Sequence, residues 1–148
     1  MIHVRHTAVA VVPVDLAFAH IDDYRNVPDW MFGVSRFDPI GSLDQGLGAT
    51  YDATMQLGLK ALKSTVEVTE WEQDRLITLS SVSGFGNRSI WRFTPVDDRR
   101  TELSVDFGYE LPGGLAGKAM GKLIEPFVVT AIRQTEASLR RQIEALGR

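Results

Sequence analysis

Between Val34 and Leu111 apolar and polar side chains alternate, and beyond Pro112-Gly113-Gly114 the apolar residues recur every three to four positions. That switch of period, from two to about 3.6, constrains the fold more than any other feature. In "ATYDATMQLG" Tyr51, Ala53, Met55 and Leu57 share one face, and Thr50, Asp52, Thr54 and Gln56 the other. "TELSVDFGYEL" sets Leu103, Val105, Phe107, Tyr109 and Leu111 against Glu102, Ser104, Asp106 and Glu110. Trp91 and Phe93 oppose Arg88, Arg92 and Thr94; Val66 and Val68 oppose Lys63, Thr65, Glu67 and Thr69. Turn chemistry separates the runs at Gly41–Gly48, Gly58, Gln73-Asp74, Gly84–Asn87 and Asp97–Arg100.

The opening "HVRHTAVAVV" is rich in β-branched residues and reads as a first strand. Pro13 suits the first turn of a helix, and Val14, Ala17, Phe18 and Ile21 follow at helical spacing up to about Asp22. A second short turn covers "DYRNVP", where Pro28 disfavours helix at Val27. At the far end Met120, Ile124, Phe127, Ala131, Thr135, Leu139, Ile143 and Leu146 form one stripe of a long helix in which Pro126 is expected to produce a kink. These elements make an α+β domain: a curved antiparallel sheet of about seven strands around a long C-terminal helix, with two short helices between strands 1 and 2.

Widths then bear on function. Seven strands about 4.8 Å apart present an apolar face over roughly 30 Å wide, and a helix with its side chains is only about 10–12 Å across. One helix leaves part of that face uncovered, to be filled by bulky side chains or to remain a cavity suited to an apolar guest.

Composition excludes several alternatives. The 148 residues suit one domain, 1–148, and 44% hydrophobic with 24% charged residues is ordinary for a globular chain. There is no cysteine, which rules out thiolate nucleophiles and thiolate metal sites and fits a reducing, cytoplasmic setting. Net charge is −3 with the basic residues scattered, so no nucleic-acid partner is expected. The apolar run Ala8–Val12 is too short for a secretory core, and no stretch approaches the roughly 18 residues of a membrane span.

The order of elements, together with "VPVDLAFAHIDDYRNVPDW", "GLGATYDATM", "WRFTPVDDRRTELSV" and "EASLRRQIEAL", resembles the START/polyketide-cyclase/SRPBCC superfamily, the helix-grip fold, over nearly the whole chain. The resemblance implies a bacterial single-domain member whose cavity takes a lipid, sterol, polyketide or similar molecule, with no shared catalytic residues to carry over; no cofactor is expected. By position it implies Trp30 at the cavity mouth; Tyr51, Met55, Trp91, Phe93, Phe107 and Tyr109 on inward strand positions; and Met120, Ile124 and Phe127 on the inward helix face.

Other motifs are weaker. Core filling is the ordinary role of aromatic rows, whereas a tryptophan closing the polar stretch "DDYRNVPDW" fits a half-buried rim. His3 and His6 fall on opposite strand faces, and His20 is alone, so no metal site is expected. "GGLAGKAMGK" lacks the phosphate-loop spacing and "SGFGN" lacks the nucleophile elbow. The first is read as a flexible lead into the helix, and Phe85 between its glycines as a gate. The acids Asp52, Glu67, Glu102, Asp106 and Glu110 lie on the polar face, where solvated pairing with Lys63, Arg88 and Arg92 is expected. Tyr51 and Tyr109 remain as inward groups to orient a ligand carbonyl or hydroxyl.

The expected function is binding or carriage of a small hydrophobic molecule. An aromatase/cyclase-type enzyme and a protein-interaction module are the alternatives.

Overall fold

The computed structural model describes residues 2–31, 33–57, 60–110 and 114–146, without the side chains of 57, 60 and 114–124. Seven strands follow the expected runs: β1 (Ile2–Ala10), β2 (Val34–Pro39), β3 (Thr50–Leu57), β4 (Lys60–Glu72), β5 (Leu76–Gly84), β6 (Asn87–Pro95) and β7 (Thr101–Tyr109). Three helices accompany them: α1 (Val14–Asp22), α2 (Val27–Trp30) and α3 (Gly114–Leu146). The sheet order is β1-β7-β6-β5-β4-β3-β2 with every neighbouring pair antiparallel. This is the helix-grip architecture, a curled sheet holding a long C-terminal helix.

The curl has a local cause. Register shifts fall between Val34 and Arg36, Thr65 and Val66, and Val68 and Glu70. Each such irregularity bends its strand and increases twist. The alternation then selects the inner face: Leu103, Val105, Phe107 and Tyr109 are buried and Glu102 is exposed. Trp91, Phe93, Val66 and Val68 are buried as expected. The outer acids find partners other than those expected. Asp106 accepts from Arg5 Nε at 3.0 Å and lies 2.9 Å from His3 Nδ1, while Arg88 reaches Glu70 at 3.4 Å.

Two expectations about the helices are corrected. Val27 is helical (φ −55°, ψ −47°) despite preceding Pro28. Its conformation continues the 3₁₀ turn Tyr24–Asn26, and the proline falls in the first turn of α2, where its missing N–H costs no helical hydrogen bond. Among the described side chains of α3 the buried ones are Val128, Ala131, Thr135, Leu139 and Ile143, whereas Phe127 is 51% exposed. At about 100° per residue, position 127 stands roughly 100° from the centre of that arc, and Val128 takes the inward place. Leu146, at the end of the helix, is also exposed. Pro126 lies inside the continuous helical span.

Helix α3 is not alone on the sheet. Ala17, Phe18 and Ile21 of α1 and Val27 and Trp30 of α2 join the same buried cluster as Trp91, Phe93, Leu139 and Ile143. The Val11 N–H donates to Glu144 Oε2 at 2.8 Å, and Gln142 Nε2 donates to the Asp29 carbonyl at 3.0 Å. Gln142 Oε1 lies 3.0 Å from His20 Nε2. These contacts hold the end of α3 against both short helices. The two short helices thus fill much of the width that α3 leaves uncovered.

Candidate functional site

Among the described residues two apolar hollows lie between the sheet and the helices. The first is lined by Ile21, Asp22, Tyr24, Val27, Trp30, Met31, Phe37, Tyr51, Val68, Ile77, Leu79 and Trp91, and has a free volume of about 30 Å³. The second, of about 20 Å³, lies between the sheet and α3, against Met31, Met55, Trp91, Phe107, Val128, Ala131, Ile132 and Thr135. Each has room for a water or two. Trp91 and Met31 line both and so form the partition.

Local structure explains how Trp30 reaches this place. Asp23 accepts from the Arg25 N–H at 3.0 Å and starts the 3₁₀ turn, and the Met31 N–H closes α2 on the Val27 carbonyl at 2.8 Å. The single turn carries Trp30 beneath the sheet, where it is 2% exposed. Its ring meets Trp91 edge to face at 5.2 Å. The expectation of a half-buried rim position is therefore corrected: Trp30 is an inner wall. Among the described residues its Nε1–H has no hydrogen-bond partner. A buried donor left so costs about 1–3 kcal/mol, which an acceptor on a guest would recover.

The outer side of the first hollow is polar and latched. Asp22 accepts from Trp71 Nε1 at 3.0 Å and from Gln45 Nε2. Tyr51 stacks on Phe37 at 4.6 Å, and its hydroxyl donates to the Asp44 carbonyl at 2.7 Å. The β2–β3 connection is thus tied down at two successive residues, Asp44 and Gln45, each time to a residue lining the hollow. Burial, and then the nearby carboxylates of Asp22 and Asp44, push the Tyr51 hydroxyl up to about 12. It stays protonated, but its proton is already engaged, unlike the free inward donor expected from sequence.

The other expected site residues divide. Tyr51, Trp30 and Trp91 meet at the first hollow, and Met55, Trp91 and Phe107 at the second. Phe93 packs on Phe18 with ring centroids 5.1 Å apart and lines neither. Tyr109 is fully buried between Phe107 and Phe85, with its hydroxyl unpartnered among the described residues, and also lines neither hollow. Burial, then Glu125, raises its pKa. Phe85 lies in a surface depression with Ala61, Leu62, Lys63 and Glu110. Phe127 faces outward, and the side chains of Met120 and Ile124 lie outside the described residues, as does Pro112-Gly113 in the glycine-rich lead into the helix.

Sequence reading missed Asp22, Met31, Phe37, Ile77 and Leu79. Alternation along "LITLSSV" offered a signal for Ile77 and Leu79. Nothing local singled out Asp22, whose bonds to Trp71 and Gln45 span long stretches of chain. Among the described residues no group of three or more His, Cys, Asp or Glu side chains could hold a metal ion. Among them, too, no helix is long and apolar enough to cross a membrane.

A curled sheet gripping a terminal helix, with apolar hollows between them, defines the START-like class. Residues 1–144 match the model of the family described as polyketide cyclase / dehydrase and lipid transport, and the chain belongs to that family. Among solved structures it is similar to a protein of Thermus thermophilus (17% identity, TM-score 0.83, covering 98% of this chain and 99% of that one). It is also similar to the Zhui aromatase/cyclase of a Streptomyces species (17%, 0.81, 99% and 96%). A START superfamily protein of Mycobacterium smegmatis is a third (14%, 0.75, 97% and 98%). At these identities the likeness is one of fold. No curated protein matches the sequence.

Proposed function

We propose that the protein binds or carries a small hydrophobic molecule in the space between sheet and helices, at the two hollows on either side of Trp91. The observation carrying this reading is the first hollow, an apolar chamber lined by the buried Trp30, whose indole donor has no acceptor among the described residues. Family membership supports it, since the family description includes lipid transport.

Binding requires opening, because rooms of about 30 and 20 Å³ admit water and not a lipid. The partition suits that need. Met31 is unbranched and changes rotamer at low cost, and its withdrawal from beside Trp91 joins the two hollows. A carrier is favoured over an enzyme because, among the described residues, the first hollow is lined by one carboxylate and the second by none, so neither set presents an acid paired with a base.

The test is a naphthalene titration followed by nuclear magnetic resonance of the indole N–H signals. Saturable shifts of the Trp30 and Trp91 signals are expected. Signals unmoved up to the solubility limit would remove the proposal.

A further inference from the structure

We infer that the first hollow selects uncharged ligands bearing a hydrogen-bond acceptor, such as an aryl ketone, and discriminates against carboxylates, including fatty-acid anions. This rests on the ligand-binding reading above and deepens it.

Two independent observations carry it. Trp30 lines the hollow, is 2% exposed, and its Nε1–H lacks a partner among the described residues. Indole nitrogen is a donor only, so what would satisfy it is an acceptor such as a carbonyl or ether oxygen. A hydrocarbon of the same shape leaves the donor unpaired and a carbonyl does not, which is the arrangement that discriminates most strongly between otherwise similar guests.

The second observation is charge. Among the described residues the lining has no lysine, arginine or histidine, and its one carboxylate belongs to Asp22. An anion entering would lose its hydration, meet no countercharge and approach another negative group. The remaining polar lining supplies no countercharge: the Tyr51 proton is already given to the Asp44 carbonyl, and Tyr24 and Trp91 bring only neutral groups. An acceptor without charge is what remains.

The experiment compares three probes of one ring system by calorimetry: methyl naphthyl ketone, isopropylnaphthalene and naphthoate. The ketone should bind about tenfold more tightly than the isosteric hydrocarbon, with naphthoate the weakest. In Trp30→Phe the ketone's advantage should disappear while the hydrocarbon still binds. Asp22→Asn keeps an acceptor for Trp71 and supplies a second test with little risk to folding. There the affinity of naphthoate relative to the ketone should rise. Equal binding of ketone and hydrocarbon, or naphthoate binding tightest, overturns the inference and leaves the pocket standing. If none of the three binds, the ligand-binding reading itself falls.

Discussion

The indoles of Trp30 and Trp91 meet edge to face, with centroids 5.2 Å apart and planes at 81°, and both rings are almost wholly buried. One comes from a single-turn helix and the other from the middle of the sheet. Their contact joins α2 to β6 and closes one side of the first hollow.

Truncating one half of this pair should be costly. Trp91→Ala removes a large buried side chain, and its unfolding free energy in urea should fall by about 3–5 kcal/mol. Because Trp91 lines both hollows, the variant also joins them. Naphthalene should therefore raise its melting temperature more than that of the parent. A loss under about 1 kcal/mol would mean that the partition is not packed as described.

The latch on the β2–β3 connection predicts a kinetic effect. Gln45→Ala deletes the donor to Asp22 and leaves the Tyr51–Asp44 bond in place. Amides of residues 40–49 should exchange faster with solvent, and stopped-flow association of methyl naphthyl ketone should speed up several-fold. Unchanged exchange would place the opening elsewhere.

Tyr51 predicts a change at alkaline pH. Its folded-state pKa is raised from 10.0 to about 12, chiefly by burial. The neutral form is favoured by folding, so the associated stability is complete below about pH 10 and is lost as the pH rises towards about 12. Absorbance titration should show a tyrosine component ionising near 12 that Tyr51→Phe lacks, and the variant's stability should fall less steeply across that window. A component ionising at the ordinary value would contradict the burial assigned to this ring.

Gly84 is fixed by its surroundings. Its φ is +78°, and a Cβ there would stand 2.3 Å from the Lys63 carbonyl oxygen. Gly84→Ala must therefore move the backbone where β5 leaves β4, with an expected cost of about 1–3 kcal/mol in thermal or chemical unfolding. A neutral result would show that this hairpin end is slack.

The residues that announced themselves in the sequence are those whose neighbours repeat. Leu103, Val105, Phe107 and Tyr109 were readable as an inner face because β-strand geometry sends every second side chain the same way. Trp30 had no such support. It follows Pro28-Asp29 in a polar stretch, and only the closing of α2 turns it inward. Phe127 failed for a related reason, since positions 127 and 128 both fit a three-to-four step before Ala131. Hollow volume was illegible altogether, because it depends on α1 and α2 packing under the sheet beside α3. The bond from Gln45 to Asp22 likewise joins residues that share no pattern.

The most direct measurement is native mass spectrometry of protein purified without detergent, followed by solvent extraction of the denatured chain. A reproducible non-protein mass at about one per chain, released on denaturation, soluble in organic solvent and free of carboxylate, is the result this account predicts. Protein that stays bare after exposure to a total lipid and metabolite extract, with no added mass at any concentration, would contradict it.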